Sequence, residues 1–293
     1  MSGRGDRDNL RGGAWLIADM SLNIWALSIV KWLGAGYPST QIVCLRALVG
    51  LILIAPLIWR GRALFREIPD ARLHLLRVGL SVVTLSASFF AIARVPLALF
   101  TAIGFTRPLV TMVLAALLLG ETIGLRRWIA AGIALLGVVI AVNPGAVSWN
   151  WGLAALGIVV VSGSGAVVAT RRLKEAPPIV LMAFYTAGLT LFSAPFALWG
   201  WVPIAPGHAL PLLLVGCFAQ AAQLCFLRAH YLGGAGFLSV LSYLSLVLSV
   251  CVGVMVFGEV PAPSFALGAA LVVAAALWVT LRARTAPPPF KKD

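Results

Sequence analysis

The two halves of this chain repeat each other's landmarks when the sequence is shifted by about 139 residues. The matching positions are Pro38 with Pro177, Pro56 with Pro195, and Gly120-Glu121 with Gly258-Glu259. Each half contains five apolar stretches, most of them close to the roughly 20 residues that cross a hydrocarbon core. Because five is odd, we expect the second copy to lie inverted in the membrane relative to the first. Inverted repeats are typical of alternating-access transporters, whose substrate site lies between the copies near the midplane.

The sequence predicts an all-α membrane protein with ten transmembrane helices, arranged as two inverted five-helix repeats. The first repeat spans 14–142 after an N-terminal tail (1–13), and the second spans 151–281 before a C-terminal tail (282–293). Residues 143–150 form the connecting loop. The apolar stretches are 14–33, 39–59, 74–93, 97–119, 127–142, 151–170, 179–200, 209–229, 236–257 and 264–281.

The distribution of charge gives the expected orientation. With 61% hydrophobic and 11% charged residues, the composition excludes an ordinary soluble domain. A net charge of +13 would suit nucleic-acid binding, but the Lys and Arg residues lie between apolar stretches, so we expect no nucleic-acid partner. Eighteen of them fall on one predicted side, and only Lys31 and Arg94 on the other. We therefore expect both termini in the cytoplasm, and no signal peptide.

No motif in the sequence indicates catalysis or metal binding. HExxH, GxSxG and GxxxxGK patterns are absent, and Gly163-Ser164-Gly165 lacks the third glycine of a dinucleotide fingerprint. The four cysteines lie in apolar stretches without CxxC or Cys/His spacing, which is typical of buried apolar residues. We expect neither an enzyme nor a cofactor or metal.

Polar residues recur three or four positions apart within several stretches, which places each set on one helix face. An amide in lipid needs a partner, so these faces are expected to point toward a substrate cavity. Serine and threonine can instead bond to their own helix backbone and only mediate packing. Three midplane aromatic residues could stack on a substrate, although Trp25 could equally serve helix packing. The candidate cavity residues are Asn23, Trp25, Thr84, Ser88, Thr101, Phe105, Gln220, Gln223, Ser239, Ser242 and Tyr243.

Three charged residues lie well away from the ends of the apolar stretches, where a charge costs at least about 2.5–3.5 kcal/mol on insertion scales. Asp19 and Arg46 are assigned structural roles, such as an ion pair or a carbonyl contact that fixes helix packing. Arg107 lies nearer the midplane. It is expected either to hold a substrate carboxylate or to pair with Asp19 or backbone carbonyls.

Other residues are assigned to hinges, loops and packing. Pro108 lacks a backbone donor and predicts a kink, with Ser245 and Leu246 as its counterparts in the ninth stretch. Glu121 and Glu259 lie at helix ends and are expected to anchor loops. The fifth and tenth stretches are crowded with glycine and alanine, so they are expected to pack outside the transport path or to form a homodimer face.

The segment from Phe89 to Ile140 carries a specific resemblance. It contains Ala93-Arg94-Val95-Pro96-Leu97, Phe105-Thr106-Arg107-Pro108-Leu109, Leu118-Leu119-Gly120-Glu121, Trp128 and Gly132. These motifs resemble the EamA family of the drug/metabolite transporter superfamily, and the second half repeats the pattern. Arg46 matches an arginine common in the family's second helix. Leu246 stands where the family usually has proline, so the kink is expected to be stronger in the first copy.

The resemblance implies a transporter of small metabolites in the bacterial inner membrane, surrounded by lipid. Family members include amino-acid exporters, S-adenosylmethionine importers and nucleotide-sugar exchangers, so the fold transfers across the group and the substrate does not. It favours export of amino acids with aromatic or other hydrophobic side chains. The alternative is uptake or exchange of S-adenosylmethionine or another nucleotide-type metabolite, and a passive channel is a remote third. A homodimer that forms through the fifth and tenth stretches is a further possibility.

Overall fold

The computed structural model describes residues 2–65, 70–119, 125–142, 149–173, 177–232, 238, 241–242 and 244–283, and these contain helices and no β-strand. Short 3-10 helices cover Gly34–Gly36, Arg62–Phe65 and Pro206–His208. The α-helices are α1 (Ser2–Leu33), α2 (Ser39–Arg60), α3 (Ala71–Ile92), α4 (Leu97–Gly104), α5 (Arg107–Leu119), α6 (Leu125–Val142), α7 (Trp151–Arg172), α8 (Pro178–Trp199), α9 (Ala209–Leu232), α10 (Leu244–Phe257) and α11 (Pro263–Ala283).

The described helices have the length and composition of membrane spans. Seven segments are long and apolar enough to cross a bilayer, and α10 and the first part of α11 are shorter apolar helices. In the most apolar 18-residue part of α2, only 28% of the residues are buried inside the protein. Most of the apolar surface of this helix therefore faces outward, as expected for a helix in contact with lipid. The predicted all-helical membrane fold is confirmed at this level.

Helix starts and internal prolines follow the repeated landmarks. Pro38 and Pro177 precede the first residues of α2 and α8, where a fixed φ and a missing donor are tolerated. Pro56 and Pro195 both lie inside these helices, near their ends. Asn150 begins α7 by accepting a hydrogen bond from the Leu153 backbone N–H (3.2 Å).

The sequence shift that aligns the two halves also relates the pairs of helices that pack together. That shift carries α1 onto α7, α2 onto α8, α3 onto α9 and α6 onto α11. Extensive contacts join α1 with α9 and α3 with α7, and the shift converts one of these pairs into the other. Contacts also join α2 with α8 and α6 with α11, each of which is its own counterpart, and α4 contacts α10.

The small residues of the fifth and tenth stretches bring α6 and α11 into backbone contact. A Cβ atom added at Gly137 would lie only 2.8 Å from the Gly268 carbonyl oxygen, so a larger side chain there would force the helices apart. Glycine at these positions therefore allows the two helix backbones to approach each other closely.

The fourth stretch is interrupted one turn before its proline. Helix α4 ends at Gly104 and α5 begins at Arg107, while the Thr106 hydroxyl donates to the Ile103 carbonyl (2.6 Å). Pro108 therefore lies in the first turn of α5, where proline is tolerated. In the ninth stretch Ser245 and Leu246 lie in the first turn of α10, and the Ser245 hydroxyl donates to the Ser242 carbonyl (2.7 Å).

One end of the bundle contains the loops 34–38, 93–96, 200–208 and 258–262, and we call it the outer-loop end. There Lys31 Nζ forms an ion pair with Glu259 Oε1 (2.9 Å) and donates to the Val95 carbonyl (2.6 Å). Glu259 Oε2 accepts from the Leu97 backbone N–H (2.9 Å), which agrees with the loop-anchoring role expected for this residue. Glu121 lies outside the described residues.

Two further polar contacts close the same end. Gln41 donates to the Val202 carbonyl (2.8 Å) and accepts from its backbone N–H (3.0 Å). The Tyr37 hydroxyl contacts His208 Nδ1 (2.8 Å) and accepts from the Ala205 N–H (3.2 Å). Loops from both halves of the chain are thus joined by hydrogen bonds at the outer-loop end.

Candidate functional site

A cavity of about 350 Å³ is lined by residues of five helices. We call it the arginine cavity, because two arginines and two glutamines are its most polar lining groups. Helices α2 and α3 come from the first half of the chain, and α7, α8 and α9 from the second. The lining residues are Arg46, Arg77, Thr170, Leu181, Met182, Tyr185, Thr186, Ala219, Gln220, Gln223 and Leu227.

Arg77 connects three of these helices. Its Nε donates to the Thr170 hydroxyl on α7 (2.8 Å), and its Nη1 donates to the Leu181 carbonyl on α8 (3.1 Å). The guanidinium carbon lies 5.7 Å from the centre of the Tyr185 ring, within cation–π range. The charge count placed Arg77 among the basic residues at the membrane surface. In the structure it lies six residues into α3, about 9 Å along the helix axis.

Gln220 and Gln223, two of the candidate cavity residues, line this cavity. The Gln220 Nε2 atom is buried and has no hydrogen-bond partner among the described residues. A buried donor without an acceptor costs about 1–3 kcal/mol, so this amide has hydrogen-bonding capacity that the described residues leave unused. Arg46, predicted to be structural, lines the same cavity.

A second cavity, of about 310 Å³, is lined mainly by residues of α1, α9 and α10. We call it the aspartate cavity. Asp19 accepts a hydrogen bond from Asn23 Nδ2 at its Oδ1 atom (2.7 Å), so these two predicted residues bind each other. The lining residues are Leu16, Asp19, Met20, Phe105, Phe226, His230, Leu238, Ser242 and Ser245.

Arg107 lines neither cavity. Its guanidinium packs against Gly163 of α7, at the place that a Cβ atom of that residue would occupy. Its carbonyl accepts a hydrogen bond from the Ser164 hydroxyl (3.1 Å). Within the described part of the chain it forms no ion pair with Asp19. This geometry favours the packing alternative for Arg107 over substrate binding.

The remaining predicted residues are dispersed. Thr84 and Ser88 donate to carbonyls of their own helix, and Thr84 also contacts the Ser162 hydroxyl of α7 (2.8 Å). Thr101 donates to the Leu97 carbonyl (3.0 Å). Trp25 is 48% exposed and lines neither cavity. Ser239 and Tyr243 lie outside the described residues.

Arg77, Thr170 and Tyr185 were missed by the sequence reasoning. The repeat contained a signal for one of them, because the shift that aligns the halves carries Arg46 onto Tyr185. The two residues occupy matching places on α2 and α8 and meet at one cavity. Arg77 gave no comparable signal, because a basic residue near a predicted helix end is ordinarily a surface residue.

We expect Arg107→Gln to lower the free energy of unfolding by about 1–3 kcal/mol, because the guanidinium fills space against α7. Ligand affinity should change by less than about threefold, since Arg107 lines neither cavity. Denaturant unfolding and ligand titration of the purified variant measure the two quantities. Gly163→Ala is the matched variant, because its Cβ would displace the same guanidinium. A large loss of affinity at unchanged stability would assign Arg107 to the binding site.

Comparison with known proteins identifies the family. The model of the EamA-like transporter family matches residues 14–143 and again residues 149–281. A riboflavin transporter of Vibrio cholerae is 25% identical over 92% of this chain and 93% of its own length. An S-adenosylmethionine uptake transporter of Rickettsia prowazekii is 23% identical, with 92% of each chain covered. The pseudopaline exporter CntI of Pseudomonas aeruginosa is 28% identical over 92% of this chain and 96% of its own.

A solved crystal structure has the same fold. It superposes with a TM-score of 0.66 at 22% identity and covers 96% of this chain and 98% of its own. The relatives are all named transporters, so the chain is a transporter and not an enzyme. It is a multi-pass protein of the bacterial inner membrane, as predicted. With both halves matched by the same family model, the chain belongs to the EamA-like transporter family.

Proposed function

We propose that this chain moves small metabolites by alternating access, through the arginine cavity. The observation that carries the proposal is the position of that cavity, which is lined by α2 and α3 from the first half and α7, α8 and α9 from the second. A ligand held there touches both halves at once. Movement of one half against the other would then change the side from which the ligand is reached.

The architecture in this proposal has ten membrane-spanning helices in two inverted five-helix repeats, with both termini in the cytoplasm. Packing supports it, because the sequence shift exchanges the α1–α9 and α3–α7 pairs and leaves α2–α8 and α6–α11 unchanged. The break between Gly104 and Arg107 supports a hinge at Pro108. We also propose that α6 and α11, besides packing against each other, form the contact surface of a homodimer.

For the substrate, we propose amino acids moved outward, with aromatic or other hydrophobic side chains as the first candidates. The arginines supply partners for a carboxylate, and the apolar part can contact Leu181, Met182 and Leu227. Uptake or exchange of S-adenosylmethionine or another nucleotide-type metabolite is the second candidate. It is supported by relatives named for S-adenosylmethionine and riboflavin.

Counterflow in proteoliposomes tests the function. Vesicles preloaded with one unlabelled amino acid should accumulate the labelled form transiently and saturably, and a panel with S-adenosylmethionine and riboflavin ranks the candidates. Empty vesicles and heat-inactivated protein are the controls. A flux that rises linearly with concentration, without stimulation by the substrate inside, would identify a passive channel and contradict alternating access.

A further inference from the structure

We infer that the arginine cavity selects substrates of net negative charge, and that it seats a carboxylate between Arg46 and Arg77. This inference rests on the proposed transport through the arginine cavity, and it replaces the neutral hydrophobic amino acids named above with acidic substrates as the first candidates. It differs from the sequence-based hypothesis, which assigned Arg46 to packing and gave Arg107 as the candidate for binding a carboxylate, with a structural role as its alternative.

The first step is the balance of charge. The described lining contains two arginines and no aspartate or glutamate. Among the described residues the only ion pair is Lys31–Glu259, at the outer-loop end. Two guanidinium groups at one cavity repel each other unless an anion lies between them. A net-anionic ligand supplies that charge, whereas the ammonium of a neutral amino acid would find no carboxylate in the described lining.

The second step is the excess of hydrogen-bond donors. Arg46 has no hydrogen-bond partner among the described residues, and Arg77 uses Nε and Nη1 but not Nη2. Gln220 Nε2 is buried without an acceptor. All three groups can only donate. A ligand that satisfies them must accept hydrogen bonds, and a carboxylate accepts from a guanidinium with two parallel bonds.

The third step is the preorganisation of the site. Arg77 is held by Thr170 and Leu181, and its guanidinium lies over the Tyr185 ring. Gln220 is held close to α2, where a Cβ atom added at Gly50 would lie 3.0 Å from its Oε1 atom. The cavity volume of about 350 Å³ is near the lower limit of ligand pockets. A small dicarboxylate or an acidic amino acid therefore suits the site in both charge and size.

The test is the thermal shift of the purified protein with ligand pairs that differ in charge and little in shape. The pairs are succinate with succinamide, L-glutamate with L-glutamine, and phenylpyruvate with L-phenylalanine. We expect each acid at millimolar concentration to raise the unfolding midpoint, and its uncharged or zwitterionic partner to raise it much less. Inorganic phosphate is a separate arm, and a larger shift with phosphate than with succinate would overturn the carboxylate assignment.

Variants test the residues. Arg46→Gln should weaken binding of the preferred acid by about 10- to 100-fold, the effect of losing a charge-assisted hydrogen bond or two. Gln220→Leu should also weaken binding, while the ligand-free protein keeps or gains stability, because a buried unsatisfied donor is removed. If Gln220 were needed only for packing, its replacement would lower the stability of the ligand-free protein and leave ligand binding unchanged. Arg62→Gln, an exposed arginine near Trp59, is the matched control.

The outcomes separate this inference from the transport function. Equal shifts with acids and amides, unchanged binding by Arg46→Gln, or no shift with any acid would overturn the inference. Saturable counterflow of neutral substrates would do the same while leaving the transport function intact. One further variant examines Glu175, which lies outside the described residues between α7 and α8. If acids raise the unfolding midpoint only in the Glu175→Gln variant, the counter-charge belongs to the chain and the inference is wrong.

Discussion

Lys31→Met is expected to lower the free energy of unfolding by about 3–5 kcal/mol, the cost of leaving one partner of a buried ion pair uncompensated. The Lys31 and Glu259 side chains are only 14% and 16% exposed. The lysine also donates to carbonyls at the end of α3 and in the loop before α4. Among the described residues, the substitution therefore leaves Glu259 with one donor, the Leu97 backbone N–H. Reversible denaturant unfolding in mixed micelles measures the change.

A double-mutant cycle isolates the pair. Glu259→Gln removes the other charge, and the double variant should lose less stability than the two single variants together, because no unpaired charge remains. Arg94→Met is the matched control at the same end. Arg94 is exposed in the loop after α3 and contacts Phe90 of that helix, so its loss should stay within about 0.5 kcal/mol. Additive single losses would show that the two side chains are not coupled.

Cysteines introduced at Ala146 and Ala63 should react with a thiol reagent from opposite sides of the membrane. Ala146 lies in the loop between the repeats, and Ala63 lies in the arginine-rich connection after α2. Lys and Arg concentrate on the cytoplasmic side of membrane proteins, so the charge count places Ala63 inside and Ala146 outside. The structure moves Arg77 from the surface into α3, which leaves the asymmetry large.

The measurement is labelling of intact spheroplasts with a membrane-impermeant maleimide. The background is a variant in which Cys44, Cys217, Cys225 and Cys251 are replaced, because all four are free thiols. Ala146→Cys should label almost completely and Ala63→Cys only after permeabilisation. The reverse pattern would refute the orientation. Labelling of both cysteines in intact spheroplasts would show that they lie on the same side, which would refute an odd number of spans between them.

The helices could be predicted because the signal for a membrane span is long and depends on composition alone. The paired prolines of α2 and α8 also fell where the repeat placed them. Side-chain partners were harder, because helical spacing shows which residues share a face and not which neighbour that face meets. Thr84 and Ser88 share a face as expected, yet they bond to backbone and to α7.

The charged residues show the same limit more clearly. Arg46 and Arg107 look alike in sequence, each a single arginine within an apolar stretch. What separates them is tertiary: Arg107 meets a glycine that leaves room for its guanidinium, and Arg46 meets a cavity. Neither environment is encoded within one turn of the arginine itself.

The outer-loop ion pair makes the two ends of the molecule unequal. The sequence shift carries Lys31 onto Thr170, a neutral residue that bonds to Arg77. A symmetric carrier would spend equal time open to either side of the membrane. Contacts of unequal strength at the two ends instead make one of these two conformations more populated than the other. This difference does not alter the final ratio of substrate concentrations across the membrane, because the driving gradients set that ratio. It alters the substrate concentration at which transport from each side is half-saturated, so that this concentration is lower on one side than on the other.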